Sequence, residues 1–195
     1  MSTSEELDEI IRDRFEISRA DFVDALKTLP ALRPWATTLT AEEARLLDHA
    51  DFSEDPDSYI AASAEIAGHT GRLAVTAFTP EKVRTGLGIS DSRVRQKRAA
   101  GELWAIPDGQ SWLFPASQFD VDRETGAPLR QVRGLAEVFK ALPPDLHPVA
   151  VDGFLHTPQP DLYQGQPQSP LDWLRDGGDV DAVVASATAA DWYSR

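Results

Sequence analysis

In this chain of 195 residues the stretch from Thr79 to Phe119 restricts the fold more than any other. Thr79 can cap a helix whose first residue is Pro80, where a missing backbone N–H costs nothing. Val83 and Leu87 then share one face, Gly88 supplies a break, and Ile89 can pack back. Ser90 caps a second helix over DSRVRQKRAA, and Gly101 ends it. Two short β-prone runs follow in ELWAIPDGQSWLFP, joined at Asp108-Gly109, a pair that favours a tight hairpin turn. The order is helix, short turn, helix, hairpin.

That order is the pattern of a winged helix-turn-helix, in which the second helix enters the major groove and the hairpin is the wing. At about 100° per residue, Val94 points to the core, so Ser92, Gln96 and Ala99 point away, flanked by Arg93 and Arg95. Ser92, Gln96 and Ala99, with the flanking Arg93 and Arg95, are the expected base readers beside the cap residue Ser90. Lys97 and Arg98 lie nearer the core-facing edge, where their stems can pack while their charges reach phosphate. Gln110, or backbone near Gly109, is placed to meet an adjacent groove or phosphate, whereas Asp108 would be repelled. Trp104, Trp112, Leu113 and Phe114 are expected in the core.

Charge sharpens this reading. The chain carries a net −13, which opposes loose attachment to a polyanion. Residues 1–78 hold seven Lys/Arg against sixteen Asp/Glu, and residues 102–195 hold six against fourteen, or −9 and −8. Residues 79–101 hold six basic side chains against Glu81 and Asp91, which is +4. A charge run of this kind also suits a merely solvated helix face.

The flanks are helical in pattern. Leu7, Ile10, Ile11 and Phe15, then Phe22, Leu26 and Leu29, recur at helical spacing. Thr40 precedes a helix start in AEEARLLDHA, and another helix opens after Pro56, with Gly68 and Gly71 as candidate breaks. Beyond Arg123 a linker at Gly126-Ala127-Pro128 leads into a helix over LRQVRGLAEVFKAL, ended by Pro143-Pro144. TPQPDLYQGQPQ reads as a loop. Ser169-Pro170 opens a helix over LDWLRDG, and Asp179 caps a last one over VDAVVASATAADW. The expected fold is therefore mainly α: a helical N-terminal segment (1–78), a winged helix-turn-helix with one β-hairpin (79–122) and a helical C-terminal domain (123–195).

Two resemblances add to this. LGISDSRVRQKRAAGELWAIPDGQSWLFPASQFD resembles the winged helix-turn-helix of the MerR and excisionase type, which implies binding to double-stranded DNA, commonly as a homodimer. FLHTPQPDLYQGQPQSPLDWLRDGGDVDAVVASA resembles the C-terminal domain of antitoxins of the Xre/MbcA/ParS toxin-binding family. Its pattern reads here as Thr157-Pro158, Pro160, Leu162, Ser169-Pro170-Leu171, Leu174, Gly177-Gly178-Asp179 and Val183. The chain departs from that family in carrying a winged unit after a long helical segment. The second resemblance implies self-pairing and docking of a protein toxin, often a RES-type NAD-degrading enzyme, with partner contacts through Leu171, Trp173 and Leu174 and through a C-terminal tail. Trp192, Tyr193 and Arg195 form an aromatic and basic tail suited to an interface, or else the aromatics close the last helix onto its own domain.

Other classes find less support. The absence of cysteine excludes disulfides, thiolate metal sites and a cysteine nucleophile. Histidines 50, 69, 147 and 156 are too scattered for a metal motif, and neither Gly86-Leu87-Gly88 nor Gly177-Gly178 has the frame of a phosphate loop. Carboxylate pairs such as Asp120/Asp122 read as caps and turns. No cofactor, metal or catalysis is expected. No membrane span or export signal is read, so a cytoplasmic setting is expected. The expected function is a DNA-binding transcriptional regulator, namely an antitoxin that neutralises a toxin and represses its own operon. The alternatives are a stand-alone regulator or nucleoid-associated factor, and a protein-interaction adaptor that binds no DNA.

Overall fold

The computed structural model of the chain describes residues 3–28, 40, 42, 56–190 and 192. It is mainly helical, with three small two-stranded antiparallel sheets among the described residues. The chain divides into two compact units, residues 1–75 and 76–195.

In the first unit, α1 (Thr3–Phe15), α2 (Arg19–Thr28) and α3 (Pro56–Thr76) meet around Ile11, Phe15 and Ile17. The apolar spacing splits between core and surface, since Ile11 and Phe15 are buried while Leu7, Ile10 and Leu26 are exposed. Gly68 and Gly71 do not break α3. A Cβ at Gly68 would overlap the Phe15 ring and one at Gly71 would crowd Ile17, so these glycines are seats for side chains of the facing segment. The helix expected after Thr40, and Leu29, lie outside the described residues.

The second unit opens with Phe78, paired to Phe114 by two backbone hydrogen bonds of 2.8 and 2.9 Å. Then come α4 (Pro80–Leu87), α5 (Asp91–Ala99) and the hairpin β1 (Ile106–Asp108) with β2 (Ser111–Leu113). Phe78, Val83, Val94, Leu103, Phe114 and Phe119 form their shared core. A second hairpin, β3 (Phe119–Val121) with β4 (Pro128–Gln131), occupies the place where a linker and the start of a helix were expected. Asp122 makes its turn by accepting from the backbone N–H groups of Glu124 and Thr125 at 3.0 and 2.8 Å. The expected division at 122/123 thus falls in a hairpin turn within one compact unit.

The helix expected from Leu129 begins only after Gly134, whose φ of +86° sets the entry to α6 (Leu135–Ala141). α7 (Pro148–His156), absent from the sequence expectation, follows. The stretch expected as a loop holds a third hairpin, β5 (Gln159–Tyr163) with β6 (Pro167–Gln168), around the buried Leu162. α8 (Pro170–Arg175) and α9 (Val180–Ala189) complete a core of Val138, Leu155, Leu162, Leu171, Leu174 and Val183. No helix among the described residues is long and apolar enough to cross a membrane.

Candidate nucleic-acid interface

Local chemistry sets the helix pair as the residue types suggest. The Thr79 hydroxyl accepts from the Lys82 N–H at 3.3 Å, and the Ser90 hydroxyl accepts from the Arg93 N–H at 3.2 Å. Between them Gly88 takes the left-handed conformation, φ +64°, and donates to Thr85 O at 3.3 Å while Ile89 N–H donates to Arg84 O at 3.1 Å, which ends α4 and turns the chain within three residues. A Cβ at Gly86 would overlap the Pro128 carbonyl, so α4 lies directly on β4.

α5 buries one of its side chains, Val94, at 2% exposure. Ser92, Arg93, Arg95 and Gln96 are all exposed, as are Ser90 at the cap and Gln110 on the hairpin. Ala99 is exposed too, so the five expected base readers stand together on one helix. The +4 segment is not uniformly free, however. Arg84 lies 3.4 Å from Asp91, and Lys97 donates to Glu102 at 3.0 Å. Glu102 also accepts from Lys140 at 3.3 Å, and these two side-chain hydrogen bonds hold its carboxyl below the usual glutamate range. Lys97 is half-buried, and its pairing with Glu102 tethers the end of α5 and offsets part of its charge there.

Arg98 takes a different course. Its guanidinium lies 4.1 Å from the centre of the Trp112 ring, a cation–π stack joining α5 to the hairpin. Trp112 is thus not a core residue as expected; it is 37% exposed and holds the hairpin against the helix. Phe114 is buried as expected, while Trp104 packs on the C-terminal core, its ring centre 6.2 Å from that of Phe139. The turn lies one residue later than expected: Asp108 pairs with Ser111, which leaves Gly109 (φ +56°) and Gln110 as the loop. Gln118, unremarked in the sequence, is fully buried. Its amide accepts from Trp104 N at 3.0 Å and donates to Trp104 O and Pro115 O at 2.7 and 3.1 Å, which fixes the run from α5 to the hairpin.

The residues expected to bind a partner are placed otherwise. Leu171 and Leu174 are 2% and 3% exposed in the C-terminal core, so both are corrected from contact residues to interior ones. Trp173 is half-buried, its indole N–H donates to Asp179 O at 2.9 Å, and its ring lies against Gly178. Trp192 donates to Ala187 O at 2.9 Å and sits edge-on to Phe154 at 5.3 Å, so this ring folds onto its own domain. Tyr193 and Arg195 lie outside the described residues.

Comparison of the chain with known families, with curated proteins and with solved structures gives no match.

Proposed function

We propose that the chain is a site-selective regulator that binds double-stranded DNA through α5 and the β1–β2 wing. One observation carries this reading: Ser92, Arg93, Arg95 and Gln96 stand exposed on a single helix whose one buried side chain is Val94, with the wing stacked beside it through Arg98 and Trp112. Hydroxyl, amide and guanidinium groups are the side chains that read base edges in the major groove, and the width of that groove admits one such helix. A net charge of −13 makes sequence-independent attachment weak, so affinity would come from base contacts and from two copies on paired half-sites. A homodimer in the cytoplasm is part of the proposal.

The antitoxin reading is a further part. The motif from Thr157 to Val183 supports it, since in that resemblance the domain pairs with itself and docks a toxin. Burial of Leu171 and Leu174 moves any toxin contact to other surfaces. The rival adaptor reading is favoured by the acidic flanks, and salt separates the two. A regulator binds a DNA fragment selected from a random pool, with an affinity that falls steeply as salt rises; an adaptor shows no binding at ~50 mM salt. Copurification with the product of an adjacent reading frame separates an antitoxin from a lone regulator.

A further inference from the structure

Three arginines that the sequence scatters over the acidic C-terminal segment converge on one groove of about 410 Å³. Arg130 stands on β4, Arg133 follows it, and Arg175 ends α8. Asp120 is the one acidic residue among the described residues that line the groove, so three guanidiniums against one carboxylate leave +2 there. Residues 102–195 hold only six Lys/Arg in all and carry −8, so half of the basic side chains in this acidic stretch meet at one place.

Each arginine is set by a buried neighbour. Arg130 faces Asp120 across the β3–β4 ladder, with Pro128 of the same strand held against Gly86. Arg133 follows Val132, which is 3% exposed and donates its N–H to Gln118 O at 2.9 Å. Arg175 follows the buried Leu174. The guanidiniums have more donors than the site uses. Arg130 Nε donates to Asp120 Oδ2 at 2.7 Å, and its terminal nitrogens have no acceptor among the described residues. Arg175 Nε lies 3.8 Å from Asp120 Oδ1, with one terminal nitrogen donating to Ser117 O at 3.3 Å. Arg133 has no carboxylate partner among the described residues and makes only a 3.5 Å bond to Gly177 O.

We propose that this groove is an oxyanion site for a phosphoryl group, held by Arg130, Arg133 and Arg175, with Asp120 orienting two of the three forks. Planar guanidiniums donate pairwise to tetrahedral oxyanions, and a surplus of +2 matches a phosphate better than a singly charged carboxylate. The phosphoryl group comes either from the backbone of bound DNA, because β4 packs on the first helix of the helix-turn-helix pair, or from free phosphate. The first source rests on the DNA-binding proposal and the second does not.

Two arms test the site with the full chain. In the first, DNA affinity is measured over a salt series for wild type and Arg133→Gln. A backbone contact lowers the slope of log affinity against log salt by about 0.9 in the variant. In the second, inorganic phosphate is titrated at constant ionic strength and thermal unfolding is followed. Free-phosphate binding raises the wild-type midpoint, and Arg130→Gln with Arg133→Gln and Arg175→Gln abolishes the rise. Asp120→Asn, which keeps an oxygen to orient Arg130 but removes the negative charge that opposes the anion, should tighten phosphate binding, an effect that a purely structural ion-pair cluster does not produce. A chain that binds no DNA but is stabilised by phosphate keeps this site and loses the DNA-binding proposal. An unchanged salt slope together with no phosphate-dependent stabilisation overturns the site.

Discussion

α5 and α8 start with the same device and end in opposite roles. Ser90 caps α5 through a 3.2 Å bond from Arg93 N–H, and Ser169 caps α8 through a 3.1 Å bond from Asp172 N–H. From there α8 buries Pro170, Leu171 and Leu174 out of six residues, while α5 buries Val94 alone out of nine. α8 is held by its own side chains in a core. α5 is held mainly at its ends, by the Gly88 turn before it and by the polar contacts Lys97–Glu102 and Arg98–Trp112 near its last turn. Side chains left exposed along a helix cannot also pack in a core, so one valine is the buried anchor of α5.

The contrast makes claims that mutagenesis can break. Leu174→Ala should have the largest effect on folding, about 2–5 kcal/mol from lost transfer energy and the cavity left behind, read from the urea midpoint. Val94→Ala should cost less, about 2 kcal/mol, because a smaller side chain is removed. A larger loss at Val94 than at Leu174 would show that α5 is the better anchored helix. Arg93→Ala with Arg95→Ala should leave the urea midpoint in place and weaken specific DNA binding by about 100-fold, given ~1–3 kcal/mol for each base contact. A fall in stability with unchanged binding would move both residues from recognition to structure.

The two caps sharpen the comparison further. Ser90→Ala and Ser169→Ala should each destabilise the chain by about 1 kcal/mol. Only Ser90→Ala should also reduce DNA affinity, because α5 has little else to hold its first turn. Equal DNA affinity in the two variants would contradict this. The smallest effect concerns α7, whose last residue His156 lies 3.3 Å from Asp152. The side-chain hydrogen bond to Asp152 holds the imidazole pKa above its ordinary 6.5, against partial burial and the Arg175 charge. A histidine raised in the folded state stabilises fully below its unfolded pKa, and that contribution is lost as pH rises through the folded value. Thermal stability should therefore decline slightly as pH rises from 6.5 through the raised pKa, and His156→Gln should remove the decline.

The helix-turn-helix was legible because its signals are residues with few alternatives. Pro80, Gly88 and Ser90 each have one good place at a helix end, and the structure puts them there. Exposure along α5 followed from the helical period once Val94 was taken as the core position. The β3–β4 and β5–β6 hairpins were not legible, since their strands contain Pro128, Pro160 and Pro167 and carry no alternating apolar run. Pairing, not composition, makes them strands. α7 was hidden between Pro143-Pro144 and the glutamine-rich stretch, although Pro148 opens it and His147 caps it. Trp112 was misplaced because a tryptophan on a short strand carries no sign of which face is covered. The groove of Arg130, Arg133 and Arg175 could not be read at all, because the last of these is separated from the others by more than a third of the unit.

The central claim is that α5 and the wing together face DNA, and amide chemical shifts of the isotope-labelled chain on titration with a selected duplex test it most directly. The account predicts shifts concentrated at Ser90 to Arg98 and Gly109 to Trp112, absent in the Arg93→Ala, Arg95→Ala variant. Shifts confined to the C-terminal helices, or none at low salt, would contradict it.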